Sequence, residues 1–291
     1  MSRKFKDIFF IVNSKVPTII RLMIITRVEF EAIKKTNKGE SFSLFLDFGL
    51  RKVEVKREGN QAIIDKTITL DLDQKLKDKF CYSLDSQGLR KVILFGEDTN
   101  KLYKLVPTKD WPTLAISSVP MHRLASPKED SQNKINLINP YGLVLDTCMG
   151  LGYTAILASQ KAPKIITFEK DDNVFTIAQI NPLSARLFSS ANIQIRRADI
   201  TLGIRDFRDS YFDCIIHDPP TFKMAGELFS QDFYGSLMRV LRKDGKLFHY
   251  TPLYKIKQGF DFPASVEKRL KKAGFKKIAY SKEAGGFLCR K

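Results

Sequence analysis

Val144-Leu145-Asp146-Thr147-Cys148-Met149-Gly150-Leu151-Gly152-Tyr153-Thr154-Ala155-Ile156 is the stretch that decides the fold. An apolar strand runs into a glycine turn and then into a helix, the unit that brings a nucleotide-like ligand against bare backbone. The spacing Gly150-x-Gly152-x-x-Ala155 also suits dinucleotides, so it does not choose the ligand by itself. The segments that follow narrow the choice. Lys164 to Glu169 reads as a second strand ending on a carboxylate, at about the distance where a nucleotide fold places an acid for ribose hydroxyls, and Glu169 is a candidate ribose clamp. A third strand, Ile193 to Asp199, also ends on an acid, and a fourth, Phe212 to Ile216, runs into His217-Asp218-Pro219-Pro220. Ligands of open parallel sheets lie at the carboxyl ends of the strands, so these four acids are expected to describe one pocket.

After an amphipathic segment from Glu227 to Arg242 come a glycine turn at Gly245, a strand Lys246 to Tyr250 and a helix from about Pro263 to Ala273. Two strand-like runs follow, Lys277 to Ser281 and Gly286 to Cys289, joined by Glu283-Ala284-Gly285, which is short enough for a hairpin. With these motifs, residues 111 to 291 resemble the class I S-adenosylmethionine-dependent methyltransferases. The resemblance implies an α/β fold, a doubly wound, seven-stranded Rossmann-like sheet whose last strand is antiparallel, where a dinucleotide fold would continue in parallel. It further implies S-adenosyl-L-methionine as cofactor, with Asp146, Gly150 and Gly152 around its methionine part and Cys148 and Tyr153 in the same loop. Glu169 and Lys170 would hold the ribose, Asp199 and Ile200 would meet the adenine, and Asp218-Pro219-Pro220 would face the substrate. Asp146-Thr147-Cys148-x-Gly150-Leu151-Gly152-Tyr153-Thr154, with Ala225-Gly226-Glu227-Leu228, resembles an archaeal group of predicted methyltransferases.

Methyl transfer is an in-line displacement at a sulfonium, so such an enzyme mainly holds donor and acceptor at attack distance and excludes water. In relatives that methylate an exocyclic amine, the Asp side chain and the carbonyl before the first proline accept the amine's hydrogen bonds. The two prolines stiffen the loop and remove backbone donors that would oppose an amine. An aromatic residue commonly follows the prolines; here Thr221 takes that position and Phe222 stands one place later. Asp-Pro-Pro-Thr-Phe also resembles the motif of some ribosomal RNA base methyltransferases, in which Phe222 would stack on the base. His217 either orients Asp218 or packs at the strand end, and Cys214, midway along a buried strand, reads as core.

The chain has 291 residues, 49 Lys and Arg against 32 Asp and Glu, and a formal net charge of +17. Such an excess attracts polyanions without specifying a reaction, and with the resemblance to base methyltransferases it leaves RNA as the expected partner. From Arg239 onward 15 basic residues face 4 acidic ones, and Lys268, Arg269 and Lys272 fall on or near one helix face as candidate RNA contacts. A solvated face is the plainer reading of the same run. Four dispersed cysteines without a Cys-x-x-Cys pair argue against a zinc site or a disulfide framework, and no metal is expected. A cytoplasmic protein follows, and no motif fixes an oligomeric state.

Residues 1 to 22 form a basic and apolar extension; Ile8 to Val12 is too short to span a bilayer, so no membrane partner is expected. Met23 opens a strand-like run, Met23 to Phe30, and is a candidate start of the biological chain. Residues 23 to 110 read as a β-rich domain with antiparallel strands around 41 to 57 and 91 to 106, and Asp71 to Lys79 is helix-compatible. The join holds Pro120-Met121-His122-Arg123, followed by a polar run from Ser126 to Asn133; a similar element precedes the glycine strand in the archaeal group, and that resemblance makes His122 and Arg123 candidates for the pocket wall, with a connecting loop as the plainer reading. Three functions fit these residues: a methyltransferase acting on an RNA base, an aminopropyl or aminocarboxypropyl transferase of the same fold, and a non-catalytic RNA-binding scaffold.

Overall fold

Short runs of valine, isoleucine and leucine between turns build the strands of the C-terminal half, and side chains buried on both faces mark them as central. The computed structural model describes residues 22–122, 126–251, 255–256 and 260–291. The extension over residues 1–21 and Arg123 lie outside the described residues. The chain divides into two compact units, one running to Pro127 together with Thr176–Ala185, the other comprising Lys128–Phe175 and Arg186–Lys291.

From Pro127 onward the elements run α1 (Pro127–Ile138), β1 (Leu143–Asp146), α2 (Tyr153–Ala158), β2 (Lys164–Glu169), α3 (Asp172–Ile180), α4 (Ala185–Ser189) and β3 (Ile193–Arg197). They continue with α5 (Ile200–Gly203), β4 (Phe212–His217), α6 (Gln231–Val240), β5 (Leu241–Tyr250), α7 (Phe262–Ala273), β6 (Lys276–Ser281) and β7 (Gly286–Arg290). The sheet order is β3-β2-β1-β4-β5-β7-β6. Strands β3 to β5 are mutually parallel, whereas β7 pairs antiparallel with both β5 and β6. This is the doubly wound, seven-stranded Rossmann-like order with a reversed hairpin at one edge. The order reverses at β1, between β2 and β4, so the crevice of an open sheet falls beside Asp146.

A core of Leu145, Ile166, Phe168, Phe212, Ile215, Leu237, Leu247, Val266 and Leu270 fills one side of this sheet. Gly152, at φ +78, lets the chain turn from β1 into α2, and an added Cβ there would lie 2.5 Å from the Leu187 side chain. Helix α7 starts at an Asp261 cap and ends at Gly274 in the left-handed region.

The first unit is built from antiparallel sheets. Ser41–Leu46, Arg51–Glu58, Gln61–Ile64 and Ile68–Asp71 form a four-stranded meander. Met23–Ile25 pairs with Tyr82–Asp85, which pairs with Gly88–Lys91. Ile93–Gly96, Lys101–Val106, Thr113–Ile116 and Val119–Pro120 form a third sheet.

Three expectations change. The run from Met23 stays extended only to Ile25, because Thr26 and Glu29 form a reciprocal capping box that starts a helix over Arg27–Lys35. Asp71 closes a strand and residues 72 to 79 form bends, irregular backbone and a turn, although Leu72 and Leu76 are buried at helical spacing. The strands after residue 110 belong to the first unit, since Thr113–Ile116 extends the sheet of Lys101–Val106.

Candidate active site

Four loops leave the carboxyl ends of β1, β2, β3 and β4. Asp146 ends β1 fully buried. Its Oδ2 accepts a hydrogen bond from Thr167 Oγ1 at 2.6 Å, while its Oδ1 is buried and makes no hydrogen bond of full geometry, although the Cys148 amide acts on the carboxyl. Burial pushes its pKa up to about 8 against the opposing Thr167 hydrogen bond, with Asp218 and Glu169 adding like-charge repulsion. A carboxylate in this state calls for a cationic partner.

The glycine loop is fastened to β2 by Glu169. Its Oε2 accepts from the Gly150 amide at 3.1 Å and its Oε1 from the Asp171 amide at 3.0 Å. Burial raises the Glu169 pKa to about 7 although these amides stabilise the anion. Gly150 has φ +55, and a Cβ added there would meet nothing within 4 Å, so bare backbone borders open space. Cys148, half-buried on the same loop, has its sulfur 3.7 Å from Thr147 Oγ1, and burial drives its thiol pKa well up. Tyr153 is buried at the start of α2.

Asp199 is placed differently from the other three acids. Its Oδ1 caps α5 by accepting from the Thr201 amide at 2.8 Å, and its Oδ2 pairs with Lys170 at 3.2 Å. Lys170 also reaches Glu227 at 3.0 Å. This exposed bridge ties the end of β2 to the loop after β4, and Ile200 is buried behind it.

At the end of β4, His217 is fully buried and turned into the core. The Leu228 carbonyl accepts from Nε2 at 3.0 Å, so Nδ1 accepts from the Thr147 hydroxyl at 2.8 Å. Burial holds its pKa well below the ordinary histidine value. Both nitrogens are committed, and His217 has neither left for orienting Asp218; of the two roles open to it, it takes that of a packed residue at the strand end. His249 is its neighbour, with ring centroids 4.6 Å apart, and bonds to the Tyr250 carbonyl and the Tyr234 hydroxyl.

Asp218 keeps one edge open to solvent and is bound on the other. Lys134 Nζ, on α1, lies 2.6 Å from Asp218 Oδ2 and 2.7 Å from Asp130 Oδ2. Asp130 and Lys134 are buried, and the ammonium stands 4.9 Å from the centroid of the Tyr250 ring. Pro219 is buried, Pro220 half-buried, and Phe222 is 46% exposed, its ring centroid 5.7 and 5.8 Å from those of Phe229 and Phe262.

Lys134 and Asp130 are functional candidates that the motif reading passed over. Their i, i+4 spacing on a helical face shared with Ile135 and Ile138 was the available signal. Of the basic candidates, Lys268 and Lys272 are exposed on α7, but Arg269 is turned inward, its Nε buried and its carbonyl accepting from Gln231. His122 lies in the first unit, where its Nδ1 hydrogen-bonds Thr113 Oγ1 at 2.8 Å. Among the described residues no three metal-ligating side chains come together, no helix is long and apolar enough to cross a membrane, and all four cysteines are free.

Sheet order and crevice define the class: a Rossmann-like fold of the S-adenosylmethionine methyltransferase type, which spermidine synthases share. The chain belongs to the family of the uncharacterized protein MJ1233 of Methanocaldococcus jannaschii, to which it is 37% identical over 295 aligned positions, 96% of this chain and 99% of that protein. Polyamine aminopropyltransferase 2 of Streptomyces coelicolor is 27% identical over 145 residues, 47% of this chain but 26% of that protein. A crystal structure of spermidine synthase in complex with the transition state analogue AdoDATO superposes with a TM-score of 0.51 at 15% identity, over 88% of this chain and 83% of that one. No protein-family model matches the chain.

Proposed function

We propose that the protein transfers a methyl group from S-adenosylmethionine to a nitrogen of an RNA base. The observation that carries the donor half is the buried Oδ1 of Asp146, an acceptor without a hydrogen bond of full geometry at the crevice of the sheet. The ammonium of the donor's methionine end would complete it. The open space beside Gly150 fits an adenosyl nucleoside, and the lone pairs that Glu169 has left would take its ribose hydroxyls. When bound, the donor supplies an electrophilic methyl carbon on a sulfonium.

The chain's own residues then hold and orient the acceptor. The open edge of Asp218 accepts an N–H and points the nitrogen lone pair inward, while Pro219 and Pro220 fix the loop that carries it. The exposed face of Phe222 offers a stacking surface for a flat base, and Lys268 and Lys272 offer positive charge to phosphates.

Aminopropyl transfer from decarboxylated S-adenosylmethionine is the second reading. It is supported by the partial match to a polyamine aminopropyltransferase, and the acids of the crevice suit a cationic donor. Calorimetric titration with both donors and NAD separates the readings. Preference for S-adenosylmethionine supports methyl transfer, preference for the decarboxylated form supports the second reading, and binding of neither sinks both.

A further inference from the structure

The Lys134 ammonium sits in a cage of two carboxylates and an aromatic face, the arrangement by which a site would grip an alkylammonium ligand. Here the chain fills the cage itself. We propose that Lys134 is a specificity-determining residue: it permanently occupies the ammonium position between Asp130, Asp218 and Tyr250, and reserves the open edge of Asp218 for a neutral N–H acceptor while turning away alkylammonium acceptors such as polyamines. This deepens, and rests on, the reading that the acceptor is a base nitrogen.

The physical case has three parts. Lys134 is almost fully buried, and an ammonium in that position is tolerated only when it is paired. Burial opposes its charge, yet Asp218 and Asp130 outweigh it and hold its pKa above the ordinary lysine value, so it stays protonated and non-nucleophilic. It therefore cancels the charge of one of its two carboxylates. A cationic acceptor arriving at Asp218 meets an ammonium 2.6 Å behind Oδ2, whereas an exocyclic base amine, which is uncharged, needs only a hydrogen-bond acceptor. The triad keeps one negative charge, so the selection rests on occupancy: Lys134 already fills the ammonium position and weakens the pull of Asp218 on a cation, at little cost to the neutral acceptor.

The test empties the cage. Lys134→Ala leaves both carboxylates and the ring around a space of alkylammonium size, and Lys134→Met fills that space without charge. Binding of n-butylammonium and of 1,4-diaminobutane is measured by calorimetry and thermal shift on wild type and both variants. The expected result is no detectable binding to wild type or Lys134→Met, and binding to Lys134→Ala tighter than to wild type by about 100-fold or more, the scale of restoring a broken buried ion pair. If Lys134→Ala accumulates as insoluble protein, n-butylammonium during expression and refolding should restore it.

Wild type that binds 1,4-diaminobutane as well as Lys134→Ala does would overturn the proposal. So would a Lys134→Ala protein that no amine binds or rescues. These readouts need no transfer reaction. Amine exchange as expected without methylation of RNA would leave the cage standing and remove the methyltransferase reading; aminopropylation of 1,4-diaminobutane by wild type would remove both.

Discussion

Replacing Asp146 by Asn should stabilise the protein while abolishing donor binding. In the folded chain burial pushes the Asp146 pKa up to about 8, from an ordinary 3.8. A folded-state pKa above the unfolded one means that the folded chain keeps a proton the unfolded chain has lost. The stability contributed by this group is full below pH 4 and declines as pH rises to 8, by about 1.4 kcal/mol per unit within that window. At neutral pH the accumulated loss is about 4 kcal/mol. The amide of Asn does not titrate, but its NH2 in place of Oδ1 leaves a buried donor unsatisfied, at about 1–3 kcal/mol. Asp146→Asn should therefore be more stable than wild type by about 1–3 kcal/mol at pH 7 to 8, with the difference shrinking or reversing toward pH 5. Urea unfolding of both proteins from pH 4.5 to 9 measures it, and calorimetry at pH 7.5 checks the loss of donor binding. Parallel stability curves for the two proteins would refute the reasoning, because they would mean that Asp146 titrates normally.

Donor binding should release protons. Glu169 and Asp146, raised to about 7 and about 8, must both be ionised to hold the donor, so affinity should rise with pH up to about 8 and the apparent enthalpy at pH 6.5 should depend on the buffer's ionisation heat. Glu169→Ala should weaken the donor by about 10- to 100-fold through loss of charge-assisted hydrogen bonds, whereas Asp218→Ala should leave the donor Kd near wild type and lower turnover. Phe222→Ala should weaken acceptor RNA by about 1–3 kcal/mol, read by filter binding, with donor affinity unchanged. Gly152→Ala, at φ +78 and against Leu187, should destabilise by about 2 kcal/mol or more and lower soluble yield.

Much of the second unit was legible because its signals are local. A glycine turn after an apolar strand, acids at strand ends and a short hairpin at the chain's end each depend on neighbours in sequence, and the sheet order follows from them. The pocket's other half was hidden because it depends on pairing across 84 positions, Lys134 with Asp218. A buried lysine reads as a solvated one until its partners are in place. Arg269 and His217 stayed open in the sequence for the same reason: only packing shows that both nitrogens of His217 are taken up by Thr147 and Leu228 and that Arg269, half-buried, has its Nε shielded. Thr26 and Glu29, by contrast, carried a helix start in plain view, overridden by the apolar run Met23-Ile24-Ile25.

The central claim is tested most directly by incubating the protein with S-adenosylmethionine tritiated on its methyl group and RNA from cells lacking the protein, then digesting the RNA to nucleosides for chromatography and mass spectrometry. The account predicts label in a single nucleoside as an N-methyl group, lost with Asp218→Ala. Unlabelled RNA, alongside aminopropyl transfer from decarboxylated S-adenosylmethionine to 1,4-diaminobutane, would contradict it.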